Sequence, residues 1–250
     1  MFSSSTITHE LAGIIQEIYH YVCSCSTRNV STNNDSYIIK RLRIGENDHE
    51  VIISLYWLLE DTEMAFEDFL NYQLQGPTRI EHNLGEKYLR LYGILNAVNL
   101  QKSALLRLYK LFDIPGKEEI VLKLNALKVI SLRHKMGAHA LDYLDGKVQK
   151  NYRISRVSLD DSRLELHLLN KNEFEKYNLL EIINEFKELF NKELLNICSI
   201  ILNKIVPKDS DVEKELSHKL LLVSEKIKGN IVIDSPDSVQ AVIVKFSSNP

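Results

Sequence analysis

Arg133 and His139 are the two residues whose chemistry and spacing could serve a reaction on a phosphodiester. Five residues, His134-Lys135-Met136-Gly137-Ala138, lie between them. RNA is cleaved without a metal when its 2′-hydroxyl attacks the adjacent phosphorus. Histidine titrates near neutral pH and can move the protons, while arginine is a fixed cation for the phosphorane charge. His139 is therefore predicted to be the general base or acid, Arg133 the phosphate anchor, and His134 a residue that orients either one.

The geometry of an ideal α-helix permits this pairing. Residues six positions apart lie roughly 120° apart around the axis, and long side chains on such an arc can converge on one phosphate. Gly137 would let a partner backbone approach closely or let the helix deform. A second interpretation requires no reaction, because the helix dipole favours arginine and histidine near any helix C-terminus. Both interpretations stay open at this point.

The chain around the motif is locally basic, although the whole protein carries a net charge of −3. Cations there could contact phosphates, and a tyrosine could stack on a base. An ordinary solvated surface would explain the same residues equally well. Six of them are predicted to bind substrate: Lys128, Lys135, Lys147, Lys150, Arg153 and Tyr143.

Proline and glycine are scarce, at 5 and 9 residues, and apolar residues recur at helical spacing, so a mainly α fold is predicted. Alternating leucines after Asp160-Asp161 predict a β-hairpin at about 151–169, after the motif helix, and the tail predicts a small C-terminal hairpin. Helices are expected at about 8–22, 48–74, 86–112, 117 to the motif, 174–206 and 212–227. The predicted division is 1–47 as a helix and polar loop, 48–206 as a helical bundle that includes the hairpin, and 207–250 as a C-terminal helix and hairpin.

The motif resembles a known family. Arg133, a polar His134, Lys135, Ala138 and His139 look like the Arg–(four to six residues)–His motif of HEPN domains, where it lies late in a bundle of long helices. The resemblance covers roughly 48–206 and implies a HEPN-like helical bundle. It also implies a metal-independent HEPN-type endoribonuclease with RNA as substrate, no cofactor, 2′,3′-cyclic phosphate ends, and a homodimer whose two motifs face each other.

Two alternatives to an enzyme remain. Some HEPN domains keep the bundle and lose activity, so the chain could be a catalytically silent HEPN-like RNA-binding or dimerisation and scaffolding module. It could also be a helical adaptor in which the motif is a coincidence. Some family members add an acidic residue from an earlier helix, and four residues fit that description equally well: Glu60, Asp61, Glu63 and Glu67.

The cellular setting is implied by the resemblance alone. It indicates a toxin of a toxin–antitoxin pair or an effector of antiviral (phage) defence, with a cognate antitoxin or defence partner. In HEPN toxins that pair with nucleotidyltransferase antitoxins, a tyrosine follows the histidine by two residues. This sequence has Leu141 there and Tyr143 two residues later, so it departs from that pattern.

Other features bound the function. Cys23, Cys25 and Cys198 are odd in number and the first two are too close for an ordinary disulfide, which indicates a reducing compartment. No signal peptide or bilayer-long apolar stretch is recognisable, so a cytoplasmic protein with no membrane partner is expected. His20 with Cys23 and Cys25 is not followed by a second ligand pair at zinc-like spacing, so no metal is expected.

Overall fold

The computed structural model describes residues 6–27, 38, 40–42, 44–45, 48–77, 83–138, 143–145, 148–160, 165–170, 173–233 and 242–244. In these residues the helices are α1 (Ile7–Thr27), α2 (His49–Tyr72), α3 (Leu84–Leu111), α4 (Lys117–Ala126), α5 (Lys128–Arg133), α6 (Arg156–Asp160), α7 (Leu179–Ile205) and α8 (Asp211–Ile227). A π-helix, His134–Ala138, follows α5. The strands are β1 (Tyr143–Asp145), β2 (Val148–Lys150), β3 (Arg153–Ile154), β4 (Glu165–Asn170), β5 (Glu173–Asn178), β6 (Ile231–Ile233) and β7 (Val242–Val244).

Helices dominate the described residues, so the prediction of a mainly α protein is confirmed. Several helix ends agree with the sequence signals. Gly76 follows α2 and Gly116 precedes α4, and both have positive φ values, 71° and 86°. Glycine adopts this conformation without the steric cost that a side chain would impose. The chain can therefore reverse at both points.

The described residues fall into two compact units. The first unit comprises those within Met1–Glu60, Ala104–Pro115 and Phe190–Pro250. The second unit comprises those within Asp61–Ser103 and Gly116–Leu189. The first unit thus draws on residues from both sides of the predicted boundaries after residues 47 and 206.

In the first unit, α1 packs against α8 through apolar side chains. Leu11, Ile14 and Ile18 recur on one face of α1 at helical spacing and are buried. On α8, Leu216 and Val223 are buried as well. Two ion pairs flank the helix pair: Lys226–Glu10 at 2.6 Å and Lys219–Glu17 at 2.7 Å.

The second unit contains an antiparallel sheet with strand order β3-β4-β5. Its inner face buries Leu166, Leu168 and Tyr177, whereas Phe174 and Lys176 on the other face are exposed. Strand residues alternate between two faces, so this burial pattern follows directly from the sequence of β4 and β5. A separate antiparallel pair, β1-β2, follows the motif segment.

Both predicted hairpin regions form antiparallel pairs. In the tail, β6 pairs with β7, with Ile231 opposite Val244. In the predicted hairpin at about 151–169, β3 pairs with β4, with Arg153 opposite Leu169. The helical turn α6 lies between those two strands, and residues 161–164 lie outside the described residues.

Two helix predictions need correction. The helix expected from residue 174 begins at Leu179, because 173–178 form β5. The helix expected to run unbroken from residue 117 into the motif is interrupted at Leu127, whose backbone is extended at φ −66° and ψ 135°. Leu122, on the α4 part of this segment, is exposed.

Candidate functional site at the end of α5

The motif begins at the last residue of α5. Leu127 caps this short helix, whose buried Val129, Ile130 and Leu132 fix its orientation in the second unit. Arg133 follows Leu132 and is half-buried, as is His134. The apolar residues therefore hold the helix while the guanidinium of Arg133 stays at the boundary with solvent.

The helix type changes inside the motif. His134–Ala138 form a π-helix, in which hydrogen bonds join residues five apart and each residue turns through a smaller angle than in an α-helix. The expected separation of about 120° between Arg133 and His139 assumed an unbroken α-helix, and that assumption is wrong. Single π-helical turns occur frequently at functional sites. His139 itself lies outside the described residues.

A second cation, Lys102, interacts electrostatically with Arg133. Lys102 lies on α3. Burial lowers the pKa of its ammonium most, and the like charge of Arg133 lowers that pKa further. Lys102 donates to the Asn125 side-chain oxygen at 2.5 Å. In the part of the chain that the structure describes, neither Arg133 nor Lys102 forms an ion pair. Two interacting cations that lack a counter-ion favour an anion such as a phosphate.

Lys135 has a different environment from the other predicted substrate residues. It is buried, and its ammonium pairs with Glu175 at 2.5 Å and donates to the Tyr177 hydroxyl at 3.1 Å. The same ammonium lies 5.0 Å from the ring centroid of Tyr152. These contacts tie the π-helix to β5, so they favour a structural role over the predicted contact with substrate.

Glu175 is a shared acceptor in this cluster. Besides Lys135, the Tyr152 hydroxyl donates to it at 3.2 Å and the Tyr177 hydroxyl also donates to it. Burial acts to raise the pKa of Glu175, but the hydrogen bonds from Lys135 and Tyr177 outweigh burial and leave that pKa lowered. Burial and the hydrogen bond to Glu175 raise the pKa of the Tyr177 phenol well above its ordinary range. The carboxylate of Glu175 is therefore ionised and the phenol of Tyr177 neutral at neutral pH.

The remaining predicted substrate residues are dispersed. Lys128 at the start of α5 and Arg153 on β3 are exposed, and Lys150 at the end of β2 is half-buried. Tyr143 is the first residue of β1, where its backbone pairs with that of Lys150. Lys147 lies outside the described residues. The predicted role of each in binding RNA stays a prediction.

Among the four acidic candidates, Glu63 and Glu60 lie at stated distances from other side chains, and Glu67 interacts electrostatically with Lys187. Glu63 is buried and accepts from Lys187 at 2.5 Å and from Gln101 at 2.9 Å. Glu60 lies 3.4 Å from His9. Because Glu63 is itself buried and shares its carboxylate with Gln101 and Lys187, its position favours a role in the core over assistance to the motif.

Comparison with protein-family models, curated proteins and solved structures finds no match to this chain. The resemblance to HEPN domains therefore stays a prediction that depends on the motif and its helical context. None of the described helices is both long enough and apolar enough to cross a membrane. In the described residues, no group of three or more His, Cys, Asp and Glu side chains is placed to hold a metal ion.

Lys102 is the residue of this site that the sequence did not reveal. It lies on α3, about thirty residues before the motif, and no spacing rule connects the two. The available signal was local: Asn99, Gln101, Lys102 and Ser103 form a polar run within a helix that is otherwise rich in leucine. Gln101 is fully buried, which shows that the run is not simply a solvated face.

Proposed function

We propose that this protein is a metal-independent endoribonuclease of the HEPN type. Arg133 and Lys102 hold the scissile phosphate, and His139 transfers protons. The observation that carries the proposal is that Arg133, the arginine of the motif, has no ion-pair partner in the described residues, and that its charge helps to lower the pKa of Lys102, which has no such partner there either. RNA supplies the anion, and its 2′-hydroxyl supplies the nucleophile, so the protein does not need a nucleophile of its own.

The reaction follows from these roles. A base takes the proton of the 2′-hydroxyl, whose oxygen then attacks the adjacent phosphorus. Arg133 and Lys102 stabilise the charge that develops on the phosphorane oxygens. The bond from phosphorus to the 5′-oxygen breaks, and an acid protonates that oxygen. The products are a 2′,3′-cyclic phosphate and a free 5′-hydroxyl.

The activity is expected to persist in a chelator. Purified protein incubated with RNA in EDTA should release fragments with 2′,3′-cyclic phosphate ends, because the proposed roles of His139, Arg133 and Lys102 require no metal ion. Mass spectrometry of the fragments measures the ends directly. Cleavage that stops in EDTA and returns with magnesium or manganese would contradict the mechanism.

A homodimer is also expected, because one histidine provides only one proton-transfer group, whereas scission uses both a base and an acid. A two-fold arrangement that brings two motifs together would supply two histidines and two arginines to one cleft. The small residues Gly137 and Ala138 would permit the close approach. Light scattering at micromolar concentration should report twice the chain mass. A monomer that still cleaves RNA would refute the shared cleft.

The second candidate function is a catalytically silent RNA-binding or scaffolding module. The buried contacts of Lys135 favour it, because they show that one cation of the motif serves the fold. Such a module would keep RNA binding and lose nothing on mutation of His139. The setting of a toxin or phage-defence effector with a cognate antitoxin depends on the family resemblance and is part of this proposal only as an expectation.

A further inference from the structure

The three-stranded sheet of the second unit has an outer face that combines an exposed aromatic ring with cations. Residues directly opposite each other in an antiparallel pair share a face. The register places Arg153 opposite Leu169, Leu169 opposite Phe174, and Lys176 opposite His167. The outer face is defined here as six residues: Arg153, Glu165, His167, Leu169, Phe174 and Lys176.

Phe174 is the main apolar group of this face. It is 58% exposed, a large fraction for a phenylalanine on a regular strand. The His167 ring lies 5.7 Å from the Phe174 ring at an interplanar angle of 39°, and the Lys176 ammonium lies 5.9 Å from the ring centroid. An exposed aromatic ring beside cations is the combination with which proteins bind single strands, because bases stack on the ring and phosphates contact the cations.

The charges of the face suit a polyanion. Arg153 and Lys176 are exposed cations of this face: Lys176 lies two residues from Phe174 on β5, and Arg153 lies on β3, with Leu169 of β4 between it and Phe174. The carboxylate of Glu165 lies 2.7 Å from the His167 ring and 3.1 Å from the Lys176 ammonium. Glu165 therefore orients His167 and Lys176. The face carries one carboxylate, Glu165, and two cations, Arg153 and Lys176. Its net charge is therefore positive.

A hollow adjoins the face at one end. It has a volume of about 580 Å³ and is lined by Ser155, Val157 and Ser158 together with Glu165, His167, Lys176 and Asn178. Val157 at its edge is 83% exposed. The Asn178 side-chain oxygen accepts from the backbone N–H of Glu181, which leaves the amide N–H groups of Asn178 as donors. The hollow thus offers apolar and hydrogen-bonding groups at the scale of a nucleotide.

Strand β5 connects this face to the motif segment. Glu175 and Tyr177 project from its other face and bind Lys135 of the π-helix. Phe174 and Lys176 alternate with them on the outer face. One strand therefore carries both the support of the motif and the centre of the exposed aromatic and basic surface.

We propose that the outer face binds single-stranded RNA on the side of the sheet opposite Lys135, with a base stacked on Phe174 and phosphates on Arg153 and Lys176. The choice of RNA as the ligand rests on the proposed function. A protein partner is the rival occupant. The charge of the face and the stacking geometry around Phe174 favour RNA.

The test measures binding and cleavage separately. A fluorescein-labelled, single-stranded RNA is titrated with the His139→Ala chain, so that the RNA stays intact, and anisotropy gives the Kd. When Phe174→Ala is combined with His139→Ala, the affinity for the labelled RNA should fall about tenfold, which is within the range for loss of one base–aromatic stack. Phe174→Tyr should retain the affinity because it keeps the ring. Trp57→Ala is the matched control, since Trp57 is also 58% exposed but lies on α2.

The salt dependence tests the cations. Each phosphate contact on a single strand contributes about 0.7 to the slope of log K against log salt concentration. The double variant Arg153→Ala/Lys176→Ala should therefore reduce that slope by about 1.4. The control Lys123→Ala/Lys214→Ala removes two cations from α4 and α8 and should leave the slope unchanged.

The outcomes separate the two proposals. The outer-face proposal would be overturned if the Phe174→Ala variant bound RNA as tightly as its parent, the His139→Ala chain. It would also be overturned if that parent bound no RNA at micromolar concentration. Phe174-dependent binding by a wild-type chain that never cleaves RNA would refute the ribonuclease and leave the outer face supported. Cleavage that depends on His139, with RNA binding indifferent to Phe174, would support the ribonuclease and refute the outer face.

Discussion

His139→Ala and Arg133→Ala are each expected to reduce RNA cleavage by at least about 100-fold. Loss of a group that transfers protons in the transition state costs typically 10²–10⁴-fold, and loss of one group that stabilises the developing oxyanion costs a similar factor. The two effects arise at the chemical step, so kcat should fall more than KM rises. Single-turnover cleavage of a labelled RNA measures this directly.

Lys102→Met should have a smaller effect, about tenfold, because Arg133 remains to hold the phosphate. Methionine keeps most of the length of the side chain and removes the charge. Lys110→Met is the matched control on the same helix, where Lys110 is exposed near the C-terminus of α3. Loss of cleavage with Lys102→Met but not Lys110→Met would identify Lys102 as part of the site.

Far-UV circular dichroism should show the same helix content in all of these variants, because Arg133 and Lys102 are both only half-buried. His218→Ala on α8, where His218 is half-buried, serves as a control for loss of a histidine elsewhere in the chain. If His139→Ala and Arg133→Ala both cleaved RNA at the wild-type rate, the catalytic roles assigned to His139 and Arg133 would be wrong. If the rate of RNA cleavage fell equally in the His218→Ala control, the losses would be explained by impaired folding.

The sequence points to Arg133 as a candidate because the motif is contiguous. Its residues are fixed relative to one another by the backbone, so their types and spacing carry information. The neighbours of the motif come from elsewhere in the chain. Lys102 interacts with Arg133 from α3, and Glu175 reaches Lys135 from β5. Such pairings depend on how α3 and the sheet pack, which local periodicity does not encode.

Strand β5 shows why sequence periodicity misplaces the helix boundary near residue 174. The segment Glu173–Asn178 contains two glutamates and a lysine, which favour helix, and it precedes an unambiguous amphipathic helix. Pairing with β4 outweighs that propensity. Asn178 then caps α7 by accepting from the backbone N–H of Glu181 at 3.2 Å. The capping residue is visible in the sequence and marks the true start of the helix.

The break at Leu127 has no comparable signal. No proline or glycine lies there, and leucine favours helix. Burial explains the break better than propensity does. Leu124, Leu127, Val129 and Ile130 are all buried, and four such closely spaced residues cannot share one face of a straight helix. The extended Leu127 reorients the chain so that the apolar groups on both sides of it are covered.

The largest expected effect on stability concerns a buried charge cluster in the second unit. The Lys187 ammonium pairs with the Glu63 carboxylate at 2.5 Å and lies 4.6 Å from the Phe66 ring centroid. The exposed fractions of the Lys187 and Glu63 side chains are 12% and 3%. Gln101 donates to the same carboxylate, while its own Oε1 is buried without a hydrogen-bond partner in the described structure.

Burying the charges of this cluster costs desolvation free energy, and only their pairing offsets that cost. Burial lowers the pKa of Lys187, and the attraction of Glu63 offsets this only in part. Desolvation therefore outweighs the charge–charge interaction at the lysine. Removing either partner leaves the other as an uncompensated buried charge, whereas removing both charges together eliminates the desolvation cost as well.

Glu63→Leu and Lys187→Met are each expected to lower the free energy of unfolding by about 3–5 kcal/mol. The double variant Glu63→Leu/Lys187→Met should have a stability close to that of the wild type, since apolar groups of similar volume can replace a buried pair. Urea denaturation followed by circular dichroism measures each variant. The matched control is Lys123→Met, which breaks the exposed Lys123–Glu119 pair on α4 and should leave the urea midpoint nearly unchanged.

A double-mutant cycle decides between a coupled pair and two independent residues. If the pair is coupled, the double variant is far more stable than the sum of the single losses predicts. Additive losses would show that Glu63 and Lys187 stabilise the protein through separate contacts, such as those with Gln101 and Phe66, and would contradict the prediction. RNA cleavage measured on the folded double variant adds a second test, because Glu63 is one of the acidic residues that could assist the motif. Full activity without its carboxylate would assign Glu63 to the core alone.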